Sequence, residues 1–410
     1  MERYGILKLM PADLVINPNF WLESTRVGRE AVRVTSHAPV KGRGLQYFVT
    51  DRKENPEMFR WITDIERSLR GEGEINLEAI PESHRQILFT LGILVTKEEL
   101  PKPVRFSCFL DEKVLPGGPN LKDPIVNPTF FYQAGDRPPE SIQHQVAIGE
   151  RFLSGYPLVW VQNPGNQVWV SYWVKEDQRK LLSSLRPGEK PPASPESVDP
   201  QLRSALETAE ILVLRDFPDR SRKTWESFFT EARAQFQAKS YVKLPDLIPP
   251  LWLSALRRYY RDIIAEGYAQ NGDPQVALRR VKHHEDIACF LHPQFAYLVS
   301  RIAGRPLRFT HDYFYSYERG AVLDKHVDVD HDEFGISLLI DYDPEPPGVT
   351  PWPLFLENRQ GPIEIAQRIG DAVFYNGCEL PHYRHALPEG HRSTSLLFHF
   401  VPQNFKGRIG

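Results

Sequence analysis

The sequence predicts an α+β protein with more than one domain, and three patterns support this fold class. The N-terminal half contains two similar stretches in which strand-like and helix-like segments alternate. Residues 224–304 carry apolar side chains at helical spacing. After Gly304 the pattern changes to short apolar runs with a period of two, which is typical of strands. A chain of 410 residues is also longer than most single domains.

The N-terminal half contains an internal repeat. The segment Val15–Trp21 recurs as Ile125–Phe131 at an offset of 110 residues, and Ile93–Val95 recurs as Ile211–Val213 at an offset of 118. Self-similarity of this kind is typical of duplicated modules, and loop insertions would explain the growing offset. We expect two tandem copies of a small α+β module. Each copy contains a strand or hairpin, a helix, a loop, a second helix and a short strand.

The repeat and the later change of pattern predict three domains. They are copy 1 of the module (1–116), copy 2 (117–223), and a helical brace followed by a strand-rich domain (224–410). We interpret the two modules as a structural scaffold. Capture of a peptide or protein substrate and self-association into a homo-oligomer are the alternatives, and the sequence leaves them open.

Three helices are predicted between residues 224 and 304. Apolar and aromatic residues recur at helical spacing in 225–236, 253–263 and 293–302. The third helix is expected to begin at Pro293 and end at Gly304, because proline suits the first turn of a helix and glycine the position after its end. We interpret the aromatic stripes as packing faces that brace the next domain.

Short apolar segments follow Gly304 at regular spacing. Strands are predicted at 309–317, near His326, and at 335–341, 352–356, 363–365, 372–375, 381–387 and 393–401. Many short strands at regular spacing are typical of a sandwich or a barrel.

Composition and charge narrow the classes of function. Hydrophobic content of 41% and charged content of 25% are ordinary for a globular protein. The net charge of −3 gives no reason to expect nucleic acid or a membrane surface as a partner. We expect no membrane span and no secretory signal, because long apolar runs and a basic-then-apolar start are lacking. Three scattered cysteines favour buried thiols in a reducing compartment, so a cytoplasmic location is expected.

Histidines concentrate in the C-terminal third, where ten of the 13 lie between His283 and His399. Residues two apart in a strand point to the same face, so His326 and Asp328 would face one interior together. A second histidine from a later strand, His382, would complete a set of two imidazoles and one carboxylate. Three ligands on one face leave coordination positions open, as in non-haem Fe(II) oxygenases.

Other residues near this motif are alternatives. His331 and Asp332 lie beyond the predicted end of the strand, and His385 would point outward by strand alternation. His391 and His399 are interpreted as surface or structural residues.

The motif and its surroundings resemble the Fe(II)- and 2-oxoglutarate-dependent dioxygenases, most closely the prolyl-4-hydroxylase-like branch. That branch has the His-x-Asp pair, a distal histidine, and a basic residue ten positions later, which His382 and Arg392 match. Further matches are Tyr317, Gly320, the pair Gly370–Asp371, and Gly390. The resemblance covers roughly residues 305–402, about a quarter of the chain.

The resemblance implies a double-stranded β-helix, a jelly-roll barrel, as the fold of the C-terminal domain. It also implies Fe(II) held by His326, Asp328 and His382, with 2-oxoglutarate and O₂ as co-substrates. The implied reaction hydroxylates an unactivated C–H bond of a peptide or small molecule and releases succinate and CO₂. Because related halogenases lack a carboxylate at the position of Asp328, its presence favours hydroxylation.

Four residues are candidates for holding 2-oxoglutarate. Arg392 would bind its distal carboxylate, since a guanidinium presents a fork of donors suited to a carboxylate. Thr394 would share a strand face with Arg392, and Tyr317 would add a phenol contact. Arg384 lies two residues after His382 and would also point inward, so the choice between Arg392 and Arg384 is left open.

Two other classes of function are compatible with the same pattern. One is a non-catalytic jelly-roll binding protein, and the other is a zinc-dependent hydrolase that uses the same three ligands. A binding protein would release no succinate, and a hydrolase would not depend on oxygen.

Overall fold

The structure is a computed structural model that describes residues 11, 13–110, 120–135, 138–143, 149–152, 155–192 and 199–408. The chain divides into two units, one formed by Met1–Val104 with Arg261–Asn271 and the other by Arg105–Tyr260 with Gly272–Gly410. The domain boundaries predicted near residues 116 and 223 stay predictions.

The first unit contains an antiparallel meander and two helices. Its elements are β1 (Val15–Ile16), β2 (Trp21–Val27), β3 (Glu30–Val40), β4 (Gly44–Asp51), α1 (Pro56–Leu69), α2 (Glu82–Thr90), β5 (Leu94–Val95) and, from the later segment, β12 (Gln270–Asn271). Strands β2, β3 and β4 pair in that order, and β12 runs parallel to β4. Helix α1 begins at a proline and buries Phe59, Ile62 and Ile65, which join Val34 of β3 in one hydrophobic core.

A buried asparagine fixes the short antiparallel pair of β1 and β5. Asn17 donates from Nδ2 to the carbonyls of Pro39 (2.8 Å) and Gly92 (3.0 Å), and its Oδ1 accepts from the amide of Asn19 (3.0 Å). All of its hydrogen-bonding capacity is therefore used inside the module, as a buried amide requires.

The second unit begins with a small sheet and two helices. Its first elements are β6 (Ile125–Val126), β7 (Phe131–Gln133), β8 (Leu158–Gln162), β9 (Trp169–Trp173), α3 (Glu176–Ser184), α4 (Pro200–Thr208) and β10 (Leu212–Val213). Strands β7, β8 and β9 form an antiparallel sheet, and β6 pairs with β10. The buried Asn127 donates from Nδ2 to the carbonyl of Glu210 (2.8 Å), and its Oδ1 accepts from the amide of Thr129 (3.0 Å).

The three predicted helices are present, but the third begins earlier than expected. They are α5 (Phe217–Lys239), α6 (Pro250–Ala265) and α7 (Asp286–Ala303). Pro293 lies inside α7, whose first turn is capped by the side chain of Glu285. The first amides of a helix have no hydrogen-bond acceptor within the helix, and the carboxylate of Glu285 accepts from two of them. The helix therefore begins after Glu285 and not at the proline. Gly304 ends the helix in the left-handed conformation (φ 72), as predicted.

Helices α6 and α7 share an aromatic core with the small sheet of the same unit. The ring centroids of Trp160, in β8, and Phe290, in α7, lie 6.2 Å apart, and those of Phe152 and Phe290 lie 4.9 Å apart. Trp252 also donates from Nε1 to the carbonyl of Ser171 at 2.8 Å. The region of the second predicted module and the helical brace therefore fold around one hydrophobic core.

The remaining strands form two antiparallel sheets. These strands are β11 (Tyr241–Leu244), β13 (Arg279–His283), β14 (Leu307–Tyr317), β15 (Leu323–His326), β16 (Phe334–Asp343), β17 (Leu354–Asn358), β18 (Gly361–Ile365), β19 (Ala372–Asn376), β20 (His382–Arg384) and β21 (Arg392–Pro402). One sheet has the order β11-β19-β16-β21-β14-β13, and the other has the order β15-β20-β17-β18. The chain crosses repeatedly between them from β14 to β21, which is the strand order of a jelly roll.

The helix and strand content agrees with the predicted α+β class, and each strand segment predicted after Gly304 contains an observed strand. The duplication of the N-terminal modules stays a prediction. Within the described part of the chain, no helix combines the length and the apolar character needed to cross a membrane.

Replacing Glu285 with alanine should destabilise the second unit strongly. Its buried carboxylate accepts hydrogen bonds from the hydroxyls of Tyr259 and Tyr260 and from two amides of α7, all of which would lose their partner. We expect the free energy of unfolding, measured by urea denaturation, to fall by about 2–5 kcal/mol. Glu231→Ala, at an exposed helical position, is the control and should change it by less than about 0.5 kcal/mol. Equal effects of the two substitutions would contradict this role for Glu285.

Candidate metal centre

Three side chains converge between strands β15 and β20. His326 ends β15 and pairs directly with His382, which begins β20. Oδ1 of Asp328 lies 3.9 Å from Nε2 of His326 and 3.6 Å from Nε2 of His382. Ligand atoms from the three residues all lie within 4.8 Å of one another. The structure therefore brings together the three residues that the sequence singled out as metal ligands.

Backbone carbonyls orient both imidazoles. Nδ1 of His326 lies 2.8 Å from the carbonyl oxygen of Asp324, and Nδ1 of His382 lies 3.1 Å from that of Leu380. Because a carbonyl only accepts, each Nδ1 carries a proton, and Nε2 of each ring faces Asp328 as the nitrogen available to a metal. Burial lowers the pKa of His382 to about 4, so this imidazole is in the neutral form that binds metals.

The carboxylate of Asp328 fits a bound cation. Its Oδ2 is buried and has no hydrogen-bond partner among the described residues, and a buried unpaired carboxylate oxygen is costly. A divalent cation held jointly with two neutral imidazoles would satisfy it. The amide of Asp328 donates to the carbonyl of Gly377 at 2.9 Å. Glycine is needed there, because a Cβ at residue 377 would lie 1.9 Å from Oδ2 of Asp328.

A cavity of about 280 Å³ adjoins the three ligands. Alternate residues of β14 and β21 line it, namely Tyr313, Tyr315, Tyr317, Ser395, Leu397 and His399. Of the residues predicted to hold 2-oxoglutarate, Tyr317 and Arg384 line this cavity, whereas Arg392 and Thr394 do not.

Arg384 is buried inside the barrel, with 4% of its surface exposed. Its guanidinium donates to the carbonyl of Trp352 at 2.7 Å and to the side-chain oxygen of Gln367 at 3.3 Å. Among the residues that the structure describes, no carboxylate pairs with it, and burial lowers the pKa of its guanidinium. A buried cation with only neutral partners is a strong candidate for binding an anionic ligand.

Arg392 and Thr394 lie on the opposite face of β21. The guanidinium of Arg392 is 40% exposed and lies 3.2 Å from the carboxylate of Asp343, with which it pairs across the sheet. The hydroxyl of Thr394 is hydrogen-bonded to that of Ser316 at 2.9 Å. Because residues 395, 397 and 399 face the cavity, strand alternation turns 392 and 394 away from it.

Sequence reasoning missed Arg279, which reaches the cavity from β13. Its buried guanidinium pairs with Asp273 at 2.5 Å, donates to the phenol oxygen of Tyr317 at 3.2 Å, and lies 3.7 Å from the ring centroid of Tyr315. No spacing rule links it to the histidine motif, since it precedes His326 by more than 40 residues in the sequence. Pairing of β13 with β14 is what brings it into the site.

His399 and Asp332 also line the cavity, which the sequence did not predict. His399 was expected at the surface or in a structural role, but it is buried, with Nδ1 3.4 Å from Oδ1 of Asp332. Burial opposes charge on Asp332, yet hydrogen bonds with His399 and His311 hold the pKa of this carboxyl well below its usual range. His385 is exposed, in agreement with its expected outward orientation.

Two further groups of metal-binding side chains occur among the described residues, and they are His284–Cys289–Asp312 and His311–His331–Asp332. In both groups the carboxylate already has histidine partners. Asp332 accepts from Nδ1 of His311 at 2.8 Å, and Asp312 lies 3.4 Å from Nδ1 of His292. Neither of these carboxylates has a buried oxygen without a hydrogen-bond partner among the described residues, whereas Asp328 does.

No protein-family model and no curated protein matches the sequence. Solved structures match part of the chain. A Pseudomonas putida prolyl-4-hydroxylase is 17% identical, with a TM-score of 0.36, over 43% of this chain and 100% of that chain. The α-ketoglutarate-dependent epimerase SnoN of nogalamycin biosynthesis is 14% identical, with a TM-score of 0.36, over 43% of this chain and 82% of its own. A Trichoplax adhaerens prolyl hydroxylase is 13% identical, with a TM-score of 0.34, over 43% of this chain and 90% of that chain. These similarities are weak, and the ligand geometry is independent of them.

Gly377→Ala should weaken metal binding without removing a ligand. The new methyl group would occupy the position of Oδ2 of Asp328 and turn the carboxylate away from the histidines. We expect the affinity for Mn²⁺, measured by calorimetry, to fall by roughly 10- to 100-fold. Gly348→Ala is the matched control, because a Cβ there meets no atom within 4 Å. If both variants bind Mn²⁺ as the unaltered protein does, Asp328 is not held as a ligand in the way described.

Proposed function

We propose that this protein is an Fe(II)- and 2-oxoglutarate-dependent dioxygenase that hydroxylates an unactivated C–H bond of a peptide or small molecule. The observation that carries the proposal is the convergence of two imidazole nitrogens and an orphaned carboxylate oxygen beside a cavity. This ligand set suits Fe(II) and leaves coordination positions for a co-substrate and O₂. His326, Asp328 and His382 would hold the metal. When bound, the iron would couple oxidative decarboxylation of 2-oxoglutarate, which yields succinate and CO₂, to oxidation of the substrate.

Arg384, in preference to Arg392, is proposed to bind the distal carboxylate of 2-oxoglutarate. Its buried guanidinium has only neutral partners, and a dicarboxylate in the cavity would balance its charge. Arg392 is already paired with Asp343 near the surface, so it has no comparable need for an anionic ligand.

Tyr317 is proposed as a second contact to the same carboxylate, with Arg279 as a positioning residue. Arg279 donates to the phenol oxygen of Tyr317, which leaves the phenol O–H free to donate to a ligand. Asp273 balances the charge of Arg279, so this arginine does not compete with Arg384 for the co-substrate. The two arginines therefore have different roles in the same cavity.

We also propose that the N-terminal region contains two copies of one scaffold module. The support is that β1 pairs with β5 as β6 pairs with β10, and that Asn17 and Asn127 make equivalent hydrogen bonds. The residues whose carbonyls accept these bonds, Gly92 and Glu210, both have a positive φ. The second copy shares an aromatic core with α6 and α7, which favours a structural role over substrate capture for that copy.

Anaerobic addition of Fe(II) and 2-oxoglutarate should give the weak visible charge-transfer band of a 2-oxo acid chelated to iron. His326→Ala should abolish the band, because one of the three metal ligands is lost. The circular dichroism spectrum should stay unchanged, because His326 is partly exposed and is not a core residue. His385→Ala, at an exposed position on the neighbouring segment, should retain the band. No band in the unaltered protein would exclude the proposed chemistry.

Succinate release separates the proposal from its alternatives. With Fe(II), 2-oxoglutarate and air, the protein should form succinate, and His326→Ala should not. A jelly-roll binding protein would form none under any condition, and a zinc-dependent hydrolase would be equally active without oxygen.

Arg384→Gln should weaken binding of 2-oxoglutarate much more than Arg392→Gln. Loss of a buried charged partner should raise the 2-oxoglutarate concentration for half-maximal band intensity by roughly 10- to 100-fold. Loss of the exposed partner should change it by less than about threefold. Fe(II) affinity, measured in the same titrations, should be the same in both variants, since neither arginine is a ligand. If Arg392→Gln weakened binding of 2-oxoglutarate more than Arg384→Gln, Arg392 would be the residue that binds the co-substrate.

A further inference from the structure

A second cavity, of about 290 Å³, lies in the second unit away from the metal centre. It is bordered by the hairpin of β8 and β9, the end of α4, and the segment that leads into α6. Its walls are largely aliphatic, with Val161, Val168, Val170, Leu247, Ile248 and Leu253 among them. The volume is near the lower end of the roughly 300–1,000 Å³ found for small-molecule sites, so the cavity suits a small ligand.

Two polar groups in this cavity have no hydrogen-bond partner, and a carboxylate beside them has no cationic one, among the residues that the structure describes. The phenol oxygen of Tyr172 is fully buried and has no hydrogen-bond partner, and the buried hydroxyl oxygen of Thr208 also has none, among the residues that the structure describes. Within the described ranges, the carboxylate of Glu210 accepts from one group, the side-chain amide of Asn163, at 3.2 Å. Native proteins rarely leave several buried polar groups unpaired at one place unless ordered water, an ion or a ligand completes them.

The charge in this cavity is negative. Glu210 and Asp246 are the charged residues of its described wall, and no lysine or arginine lines it. Asp246 is paired with Arg368, so Glu210 supplies the unbalanced charge. Burial raises the pKa of the Glu210 carboxyl and, with the nearby Glu210, also that of the Tyr172 phenol. A cation is therefore the ligand that this wall would stabilise.

The backbone at Glu210 is strained for a residue with a side chain. Its φ of 56 lies in the left-handed region, where the equivalent residue of the first module is Gly92, with a φ of 71. In both modules this carbonyl accepts from the buried asparagine, so the conformation belongs to the module itself. Glycine adopts it without strain, whereas glutamate does not. A partly buried carboxylate on this backbone is thus unfavourable for the fold, and binding of a cation would account for its presence.

We propose that this cavity binds an ammonium group carried on a small apolar body. An ammonium has three N–H donors, and the cavity offers Glu210, Tyr172 and Thr208 as acceptors. Glu210 balances the positive charge. The aliphatic walls and the ring of Trp225 enclose the apolar body. The ligand is either a free amine or the side chain of a lysine in a polypeptide. This site is separate from the metal centre and does not depend on the proposed oxygenase function.

Titration calorimetry on the full-length protein with hexylamine, which is charged at neutral pH, tests the proposal. We expect saturable binding of hexylamine and at least roughly tenfold weaker binding of hexan-1-ol, which has the same chain without the charge. Glu210→Gln should weaken binding of hexylamine by roughly 10- to 100-fold. Glu176→Gln is the matched control, because that side chain is 81% exposed, and it should bind as the unaltered protein does. Equal affinity for hexylamine in Glu210→Gln and the unaltered protein would overturn the proposal, as would no binding at all.

The same titration with Nα-acetyl-lysine methylamide distinguishes the two sources of the ammonium. Binding that depends on Glu210 and is lost on Nε-acetylation assigns the cavity to a lysine side chain. Binding of hexylamine alone assigns it to a free amine. Both results support an ammonium site and differ only in the ligand.

Thermal unfolding without ligand supplies an independent readout. Because the partly buried carboxylate of Glu210 has no cationic partner among the described residues, Glu210→Gln should unfold at the same temperature as the unaltered protein or at a higher one. Hexylamine should raise the unfolding temperature of the unaltered protein and not that of the variant. A lower unfolding temperature for the variant without ligand would mean that the carboxylate serves the fold, and would refute the site.

Discussion

Cation binding at the metal centre depends on which ring nitrogen of His326 and of His382 is held by the backbone. The carbonyls of Asp324 and Leu380 accept from Nδ1 of His326 and His382, so both Nε2 lone pairs face Asp328. The pairing of β15 with β20 places the two rings opposite each other. A slip of one residue would turn one histidine out of the site. The ligand set thus depends on backbone register as much as on the side chains themselves.

The metal cavity retains two oppositely charged groups that a core built only for stability would pair with charged partners. One is Oδ2 of Asp328, which has no partner, and the other is the guanidinium of Arg384, which has only neutral ones. A divalent cation would balance a dicarboxylate, and Asp328 would balance Arg384. With neutral imidazoles, the net charge of the occupied site is then close to zero. Without ligands, the metal end keeps the negative charge of Asp328 and the co-substrate end keeps the positive charge of Arg384. This complementarity explains why both unpaired groups are tolerated in one cavity.

His326 and Asp328 could be predicted together because they lie only two residues apart, although Asp328 follows the end of β15 and is not part of the strand. The co-substrate contact depends instead on which face of β21 turns inward. The sequence places Arg392 and Thr394 on one face but does not say which face that is. In the structure, His399 belongs to the face of β21 that lines the cavity. Arg392 lies on the other face and pairs with Asp343. Arg279 could not be predicted, since only tertiary pairing of β13 with β14 brings it near Tyr317. The start of α7 was missed because the cap at Glu285 outweighs the signal of an internal proline.

The proposed second module copy differs from the first in what surrounds it. Its small sheet packs against α7 through Trp160 and Phe290 and accepts a hydrogen bond from Trp252 of α6 at the carbonyl of Ser171, so it is built into the same core as the helices that precede the barrel. That packing provides rigid walls around the second cavity, which the isolated module would not have. A position that takes glycine in the first copy can then hold the carboxylate of Glu210, because the surrounding core over-determines the backbone there. The proposed ammonium site therefore depends on the packing of the second proposed copy into this larger core.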